Sequence, residues 1–253
     1  MKRPRALPSP RRSAPSPSAG TYPSPGPPKL KLTYLNIKGI AEPIRLALHI
    51  AGIEFEDERI TYEQIAERRE AGALPNGQVP ILEIDGVVYS QSAALLRWAG
   101  RLAGLLPDNH DAMSNDLAEL RCDEVHEAIA DLNASLKPQW YGHALGRSPK
   151  SGTMLVPLSQ DQKNAVSTSL HEEVLPVRLA RLEEALGDKE YFCGDALATC
   201  DLQWYVVGSG LRDGSYCAGI SPSVLDATPK LVKLIDRIDR DPRVVEWNAA
   251  HEV

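Results

Sequence analysis

The sequence predicts two domains, a small α/β unit followed by an all-helical one. Three observations carry this. Residues 29–106 read in the order strand, helix, strand, hairpin, helix. Beyond residue 112 apolar residues recur at helical spacing, with no strand-like alternation between them. The stretch Leu106-Pro-Asp-Asn-His-Asp111 separates the two patterns as a linker.

Each element has its own signal. Lys29-Leu-Lys-Leu-Thr-Tyr-Leu35 alternates polar and apolar, as a strand does. Asn36 to Ile40 is a short loop with Gly39, and a helix starts at Glu42-Pro43. Proline fits that first turn, and Gly52 suits the C-terminal cap. Glu54–Ile60 is a second strand, and Thr61–Gly72 a charged surface helix or loop. Val79–Ile84 and Val87–Tyr89 are paired strands joined by the turn Asp85-Gly86. Ser90-Gln-Ser92 forms a turn and helix cap before Ala93–Leu102. Helices follow in Leu117–Leu136, Gln160–Leu186 and Asp201–Leu211. Thr228-Pro229 caps another, with Leu231, Leu234, Ile235 and Ile238 on one face, and Asp241-Pro242 starts the last.

Composition narrows the function classes. The 253 residues carry a formal net charge of −6, and aromatics are only 6%. An acidic chain poor in aromatic platforms does not suit a nucleic-acid partner. Residues 1–31 nonetheless hold Lys2, Arg3, Arg5, Arg11, Arg12, Lys29 and Lys31 and no acid, so the body is more acidic than the total suggests. Residues 1–28, rich in Pro, Ser and Arg, lack the apolar content to offset ordering entropy and are expected to be disordered. They read as a plain tail or as an organelle-targeting segment; with no secretory signal core, the body is expected to be cytoplasmic. No apolar run approaches the ~18 residues of a membrane span, so no membrane partner is expected. Cys122, Cys193, Cys200 and Cys217 form no C-x-x-C pair and read as small buried hydrophobes in a reducing compartment; no metal is expected.

The motifs resemble a known family. Leu32-Thr-Tyr34-Leu-Asn-Ile-Lys-Gly-Ile-Ala-Glu-Pro-Ile-Arg45 is similar to the opening of a cytosolic glutathione transferase of the tyrosine-type, sigma-like branch. So are Gly77-Gln-Val-Pro80-Ile-Leu-Glu-Ile-Asp-Gly86 and Ser90-Gln-Ser92-Ala. The resemblance implies a thioredoxin-like α/β domain over 29–106, an all-α domain over 112–253, a homodimer, and a detoxifying transferase. Glutathione would be a co-substrate, with no tightly bound cofactor.

The chemistry such an enzyme needs can be stated in energies. A free thiol has a pKa of about 8.5, and the thiolate is the nucleophile. Lowering that pKa by two units takes about 2.7 kcal/mol, and one phenol donor to a sulfur anion supplies roughly 1.5–3 kcal/mol. A helix N-terminus adds partial positive charge. Tyr34, at the end of the first strand and just before a helix, is placed for both, and the resemblance makes it the catalytic tyrosine. By the same resemblance Val79-Pro80 is a cis-proline turn whose Val79 backbone pairs with the cysteinyl part of glutathione. Gln91 and Ser92, at a helix start, would take the γ-glutamyl carboxylate. Gln78 is a candidate backbone contact.

Several positions depart from the family pattern. Ile40 stands where relatives often carry a basic residue, although Lys38 is retained. The Trp and Lys that grip the glycyl end have no clear match in Thr61–Leu74, where Arg69 is the candidate replacement. In Ala198-Thr-Cys-Asp201 the capping aspartate is kept and the capping hydroxyl is lost, unless Thr199 shifts in. Leu35, Leu136, Trp140 and Tyr141 are candidates for the electrophile pocket, and Glu127 for an acid reaching the partner subunit's glutathione amine. His126 has no second ligand at metal spacing. The expected function is conjugation of the glutathione thiolate to hydrophobic electrophiles. A glutathione-dependent isomerase of the prostaglandin synthase type and a non-catalytic glutathione-binding module both stay open.

Overall fold

The computed structural model describes residues 28–107, 112–139, 159–217 and 219–251. The expectation of a disordered tail over residues 1–28 falls, but for residue 28, outside these, as do Trp140 and Tyr141.

The first domain is a four-stranded mixed sheet with helices. Its strands are β1 (Leu30–Leu35), β2 (Glu56–Ile60), β3 (Ile81–Ile84) and β4 (Val87–Ser90), in the order β2-β1-β3-β4. β1 pairs parallel with β2, Tyr34 opposite Arg59, and antiparallel with β3, Leu32 opposite Leu82. The parallel pair requires a crossover, which α1 (Glu42–Ile50) supplies. The β3–β4 turn is Asp85-Gly86, both at positive φ, as a two-residue hairpin turn demands. β3 begins two residues later than the apolar run suggests, after Pro80, which has no N–H to give a ladder.

Thr61–Gly72, open between helix and loop in sequence, is mostly a helix, α2 (Tyr62–Glu70). Thr61 Oγ1 accepts from the Gln64 N–H while Gln64 Oε1 accepts from the Thr61 N–H, a full capping box. Glu58 ties α2 to the sheet. It accepts two bonds of 2.8 Å from the Arg68 guanidinium and one of 2.7 Å from the Thr33 hydroxyl, and Lys31 lies 3.3 Å away. Arg68, first among these donors, holds the Glu58 carboxyl at about 2, well below its usual 4.5. A depressed acid contributes stability above its unfolded pKa and loses it as pH falls through the folded one. The stability gap between the parent and Glu58→Gln, read from urea midpoints, is therefore expected to be wide at pH 7 and to shrink from about pH 4.5 downward. A gap constant between pH 7 and pH 3 would count against it.

α3 (Ser92–Ala103) packs against α1 and touches the helix Thr199–Asp213 of the second domain. A Cβ at Gly100 would sit 2.3 Å from the Thr199 Cγ2, so only glycine permits this close approach. The second domain holds α4 (Ala112–Gln139), α5 (Gln160–Ser169), α6 (Leu175–Leu186), α7 (Thr199–Asp213), α8 (Pro229–Asp239) and α9 (Pro242–Ala250). The helical pattern of Gln160–Leu186 is interrupted by a π turn at Leu170–Val174. Pro176 explains it: a ring without an N–H cannot complete the α-helical ladder, and a wider turn absorbs the defect. Leu231, Leu234, Ile235 and Ile238 are all buried, as their spacing predicts. The core also takes in the fully buried Trp204 and Phe192. Among the described residues no helix is long and apolar enough to cross a membrane.

The α7 cap keeps half of its box. Asp201 Oδ2 accepts from the Ala198 N–H at 2.8 Å, and Oδ1 accepts from the Phe192 N–H at 2.8 Å. Thr199 does not shift into the capping role. Its hydroxyl is engaged elsewhere, 2.9 Å from His126 Nε2 and 3.5 Å from Cys122 Sγ.

Candidate functional site

Local sequence places a set of polar and backbone groups around one notch at the sheet's end. It is lined by Ile40, Pro75, Asn76, Gln78, Val79, Pro80, Ser90, Gln91 and Ser92. Five expected residues, Gln78, Val79, Pro80, Gln91 and Ser92, thus meet on one surface. The Val79–Pro80 bond is cis, as expected. The cavity is about 50 Å³, so an elongated ligand would lie along it rather than inside it.

Ser92 opens α3, and no side chain caps that helix. Its first-turn N–H groups therefore carry unmet partial positive charge at the notch. Gln91, the residue before, is held at φ 76° and ψ 102°. Such a backbone costs a non-glycine residue about 1–3 kcal/mol and is found where a side chain must be aimed. Asn76 Nδ2 donates to Ser90 Oγ at 3.1 Å and braces the rim. Ser90 belongs to the Ser90-Gln-Ser92 turn marked in the sequence, while Asn76 was not singled out there; the Pro75-Asn-Gly77 turn signal is the cue that points to it.

Tyr34 does not line the notch. It stands one residue before the end of β1, under the loop that carries Ile40 to the notch, with only 8% of its surface exposed. A Cβ on Gly39 would lie 2.9 Å from the Tyr34 hydroxyl, so that loop closes directly over the phenol. Gly39 also has φ +48°, a second reason for glycine there. Arg45 stands on the other side, its guanidinium carbon 5.8 Å from the tyrosine ring centroid. Arg45 is wholly buried and fixes the β1–α1 loop from beneath. It donates to the carbonyls of Leu35, Ile37 and Lys38 and to the carboxylates of Asp57 and Glu42.

A second phenol, Tyr216, lies within electrostatic reach of Tyr34. Burial, then the neighbouring Tyr34, pushes the Tyr216 hydroxyl well above its usual 10, and that hydroxyl donates to Asn133 Oδ1 at 3.1 Å. No local motif announces either partner, because the contact joins residues 83 positions apart.

The remaining expected residues fall in different places. Leu35 is half-buried and packs against both the main core, which spans the two domains, and the small cluster of Ile60, Ile65, Leu74 and Ile81. Leu136 has no exposed surface and belongs to the helical core, so it lines no open pocket here. Arg69 is not at the notch; its Nε donates to the Gly77 carbonyl at 2.8 Å and braces the turn leading to Gln78. Glu127 is exposed on α4, 3.8 Å from Arg97, which bonds Asp123 at 2.6 Å. His126 is buried in the domain, against Thr199 and Gln203.

Residues 40–102 match the model for the glutathione S-transferase N-terminal domain, and residues 150–251 match that for the C-terminal domain. Glutathione S-transferase 3 of Caenorhabditis elegans is 41% identical over 227 residues, 87% of this chain and 95% of the relative. The chain belongs to the glutathione S-transferase family. Another relative of this family member is the hematopoietic prostaglandin D synthase of Gallus gallus, 30% identical over 223 residues, with the same coverage. The crystal structure of the glutathione S-transferase from Ascaris lumbricoides superposes with a TM-score of 0.72 at 27% identity, over 89% of this chain and 98% of that one. The two-domain fold of the glutathione S-transferases is therefore this protein's fold.

Proposed function

We propose that this protein conjugates glutathione to hydrophobic electrophiles, as a tyrosine-type, sigma-like transferase in which Tyr34 stabilises the thiolate. The observation that supports it best is the convergence of Gln78, Val79, Pro80, Gln91 and Ser92 on one notch, next to the loop that covers the Tyr34 hydroxyl. In this reading the γ-glutamyl carboxylate meets Ser92 and the uncapped start of α3. The cysteinyl backbone runs along Val79, beside Gln78. The thiol reaches towards Tyr34, whose O–H donates to the sulfur anion. The electrophile approaches from the side of Leu35 and Tyr216. Arg69 acts by holding the Gly77–Gln78 turn, and through it the glycyl end.

The relative named prostaglandin D synthase supports a second reading, isomerisation with glutathione regenerated. Conjugation consumes one glutathione per turnover and isomerisation none. The test pairs retention on glutathione resin with turnover of an aromatic chloride, monitored by thiol consumption. Retention with consumption supports conjugation. Retention without consumption leaves the isomerase or a binding module, and turnover of a prostaglandin endoperoxide separates those two.

Ser92→Ala is expected to raise KM for glutathione by about 10–100-fold, the equivalent of one hydrogen bond to a charged group. An unchanged KM would remove Ser92 from the site.

The active form we propose is a homodimer. Val87, Val88 and Tyr89 on β4 and Leu117 and Leu120 on α4 present exposed apolar surface, 55% for Val87 and 61% for Leu117. In the dimer Glu127 would extend from α4 to the partner subunit's glutathione amine. Sedimentation equilibrium at micromolar concentration should give twice the subunit mass. A mass near the 27.6 kDa of one chain would refute the dimer.

A further inference from the structure

Three of the four cysteines, separated by up to 78 positions in sequence, meet inside the helical domain. The sulfurs of Cys122, Cys193 and Cys200 all lie within 4.8 Å of one another. Cys193 and Cys200 are 3.7 Å apart, and none of the three is in a disulfide. We propose that this triangle is a binding site for a single thiophilic d¹⁰ cation, of the zinc(II) or copper(I) class.

Size is the first argument. Sulfur triangles with edges of 3.7 to 4.8 Å have centres roughly 2.1–2.8 Å from each sulfur, a range that contains the zinc–thiolate bond of about 2.3 Å. Side-chain shifts of a few tenths of an ångström therefore suffice to close three bonds. Donor chemistry is the second. Three sulfurs and no carboxylate in the triangle select a soft ion over magnesium or calcium.

The surroundings supply the rest. Cys122 comes from α4 and Cys200 from the first turn of α7. Cys193 lies in the loop before α7 and is half-buried, while Cys122 and Cys200 are buried, so the triangle is closed on two corners and reachable at the third. The Thr199 hydroxyl lies 3.5 Å from Cys122 Sγ and 2.9 Å from His126 Nε2. Against a metal-bound thiolate, which only accepts, the hydroxyl donates to sulfur and accepts from His126 when the ring carries protons on both nitrogens, the other donating to Gln203 Oε1. That is the outer-shell arrangement that orients a ligand. On binding, three S–H bonds break, three sulfur–metal bonds form, and the protons leave to solvent. The ion would fasten α4, the loop at 193 and α7 to one another.

The probe is cadmium(II), whose thiolate bonds absorb in the near ultraviolet, titrated into full-length protein kept reduced by a phosphine, without glutathione, itself a ligand. The parent should show a charge-transfer band that saturates at one cadmium per chain, with a rise in Tm. In Cys193→Ser, at the half-exposed corner, affinity should fall at least about tenfold, because losing even an outer-shell partner costs that much. Thr199→Val should weaken binding while keeping the band. Cys217→Ser, outside the triangle, should change nothing. No band in the parent, a full-strength band in Cys193→Ser, or a loss that follows Cys217 would each overturn the site.

Discussion

Arg45→Met is expected to destabilise the protein by about 3–5 kcal/mol, the usual cost of breaking a buried ion pair by removing one partner. The substitution keeps the apolar stem out to the position of Nε, so the packing of the stem contributes little to the loss. The guanidinium it removes is wholly buried. Its Nη1 stands 3.0 Å from Glu42 Oε2 and 2.9 Å from the Ile37 carbonyl, and its Nε stands 2.9 Å from Asp57 Oδ1. Without it Glu42, only 2% exposed, keeps a single donor among the described residues, the Trp247 indole at 2.7 Å. The loop from Leu35 to Lys38 loses the donor that gathers its carbonyls, so the cover over Tyr34 should loosen as well. Urea unfolding followed by far-ultraviolet circular dichroism measures the first effect. A loss below about 1 kcal/mol would mean that water or the neighbouring side chains take over these bonds. Arg45→Lys is a useful companion, since it keeps the charge but not the planar fork, and should recover only part of the stability.

Tyr34→Phe should reduce turnover at neutral pH by about 10–100-fold while leaving glutathione binding in place. The ring remains, and with it the packing of β1. Binding persists because Val79, Gln91 and Ser92 are untouched. What is lost is one charge-assisted bond to the sulfur anion, roughly 1.5–3 kcal/mol, so the bound thiol's pKa rises by about one to two units. The sign is fixed by which form is stabilised: the hydroxyl favours the thiolate, so its removal raises the pKa and activity recovers as pH rises. A pH–rate profile together with thiolate absorbance of the complex gives both quantities. Identical profiles for parent and variant would make Tyr34 a packing residue only and end the mechanism proposed for it.

What could be read from the sequence was set by range. Strands and turns of the first domain follow from local chemistry: Asp85-Gly86 has one economical conformation, and Gln91-Ser92 sits where an alternating run becomes a helical one. The notch residues were legible for the same reason, because each belongs to a short motif at the end of an element. Long-range meetings were not. Nothing in the neighbourhood of Asn133 announces Tyr216, and no spacing rule connects Cys122 with Cys193 and Cys200. Those contacts are decided by how α4 and α7 pack, which depends on whole helix faces. The π turn before Pro176 was hidden in another way, since apolar periodicity survives a single wide turn.

The Trp247 indole reaches Glu42 across 205 positions of chain. At about 5–20 residues per second, synthesis delivers that donor roughly 10–40 s after the carboxylate it serves. During this interval the nascent first domain carries a carboxylate whose partner among its own described side chains is Arg45, next to the loop over Tyr34. The conjugating site we propose would therefore be finished last, when α9 leaves the ribosome, although most of its residues are made first. Premature termination before residue 247 would release a chain that contains every notch residue and still lacks the lock on their scaffold.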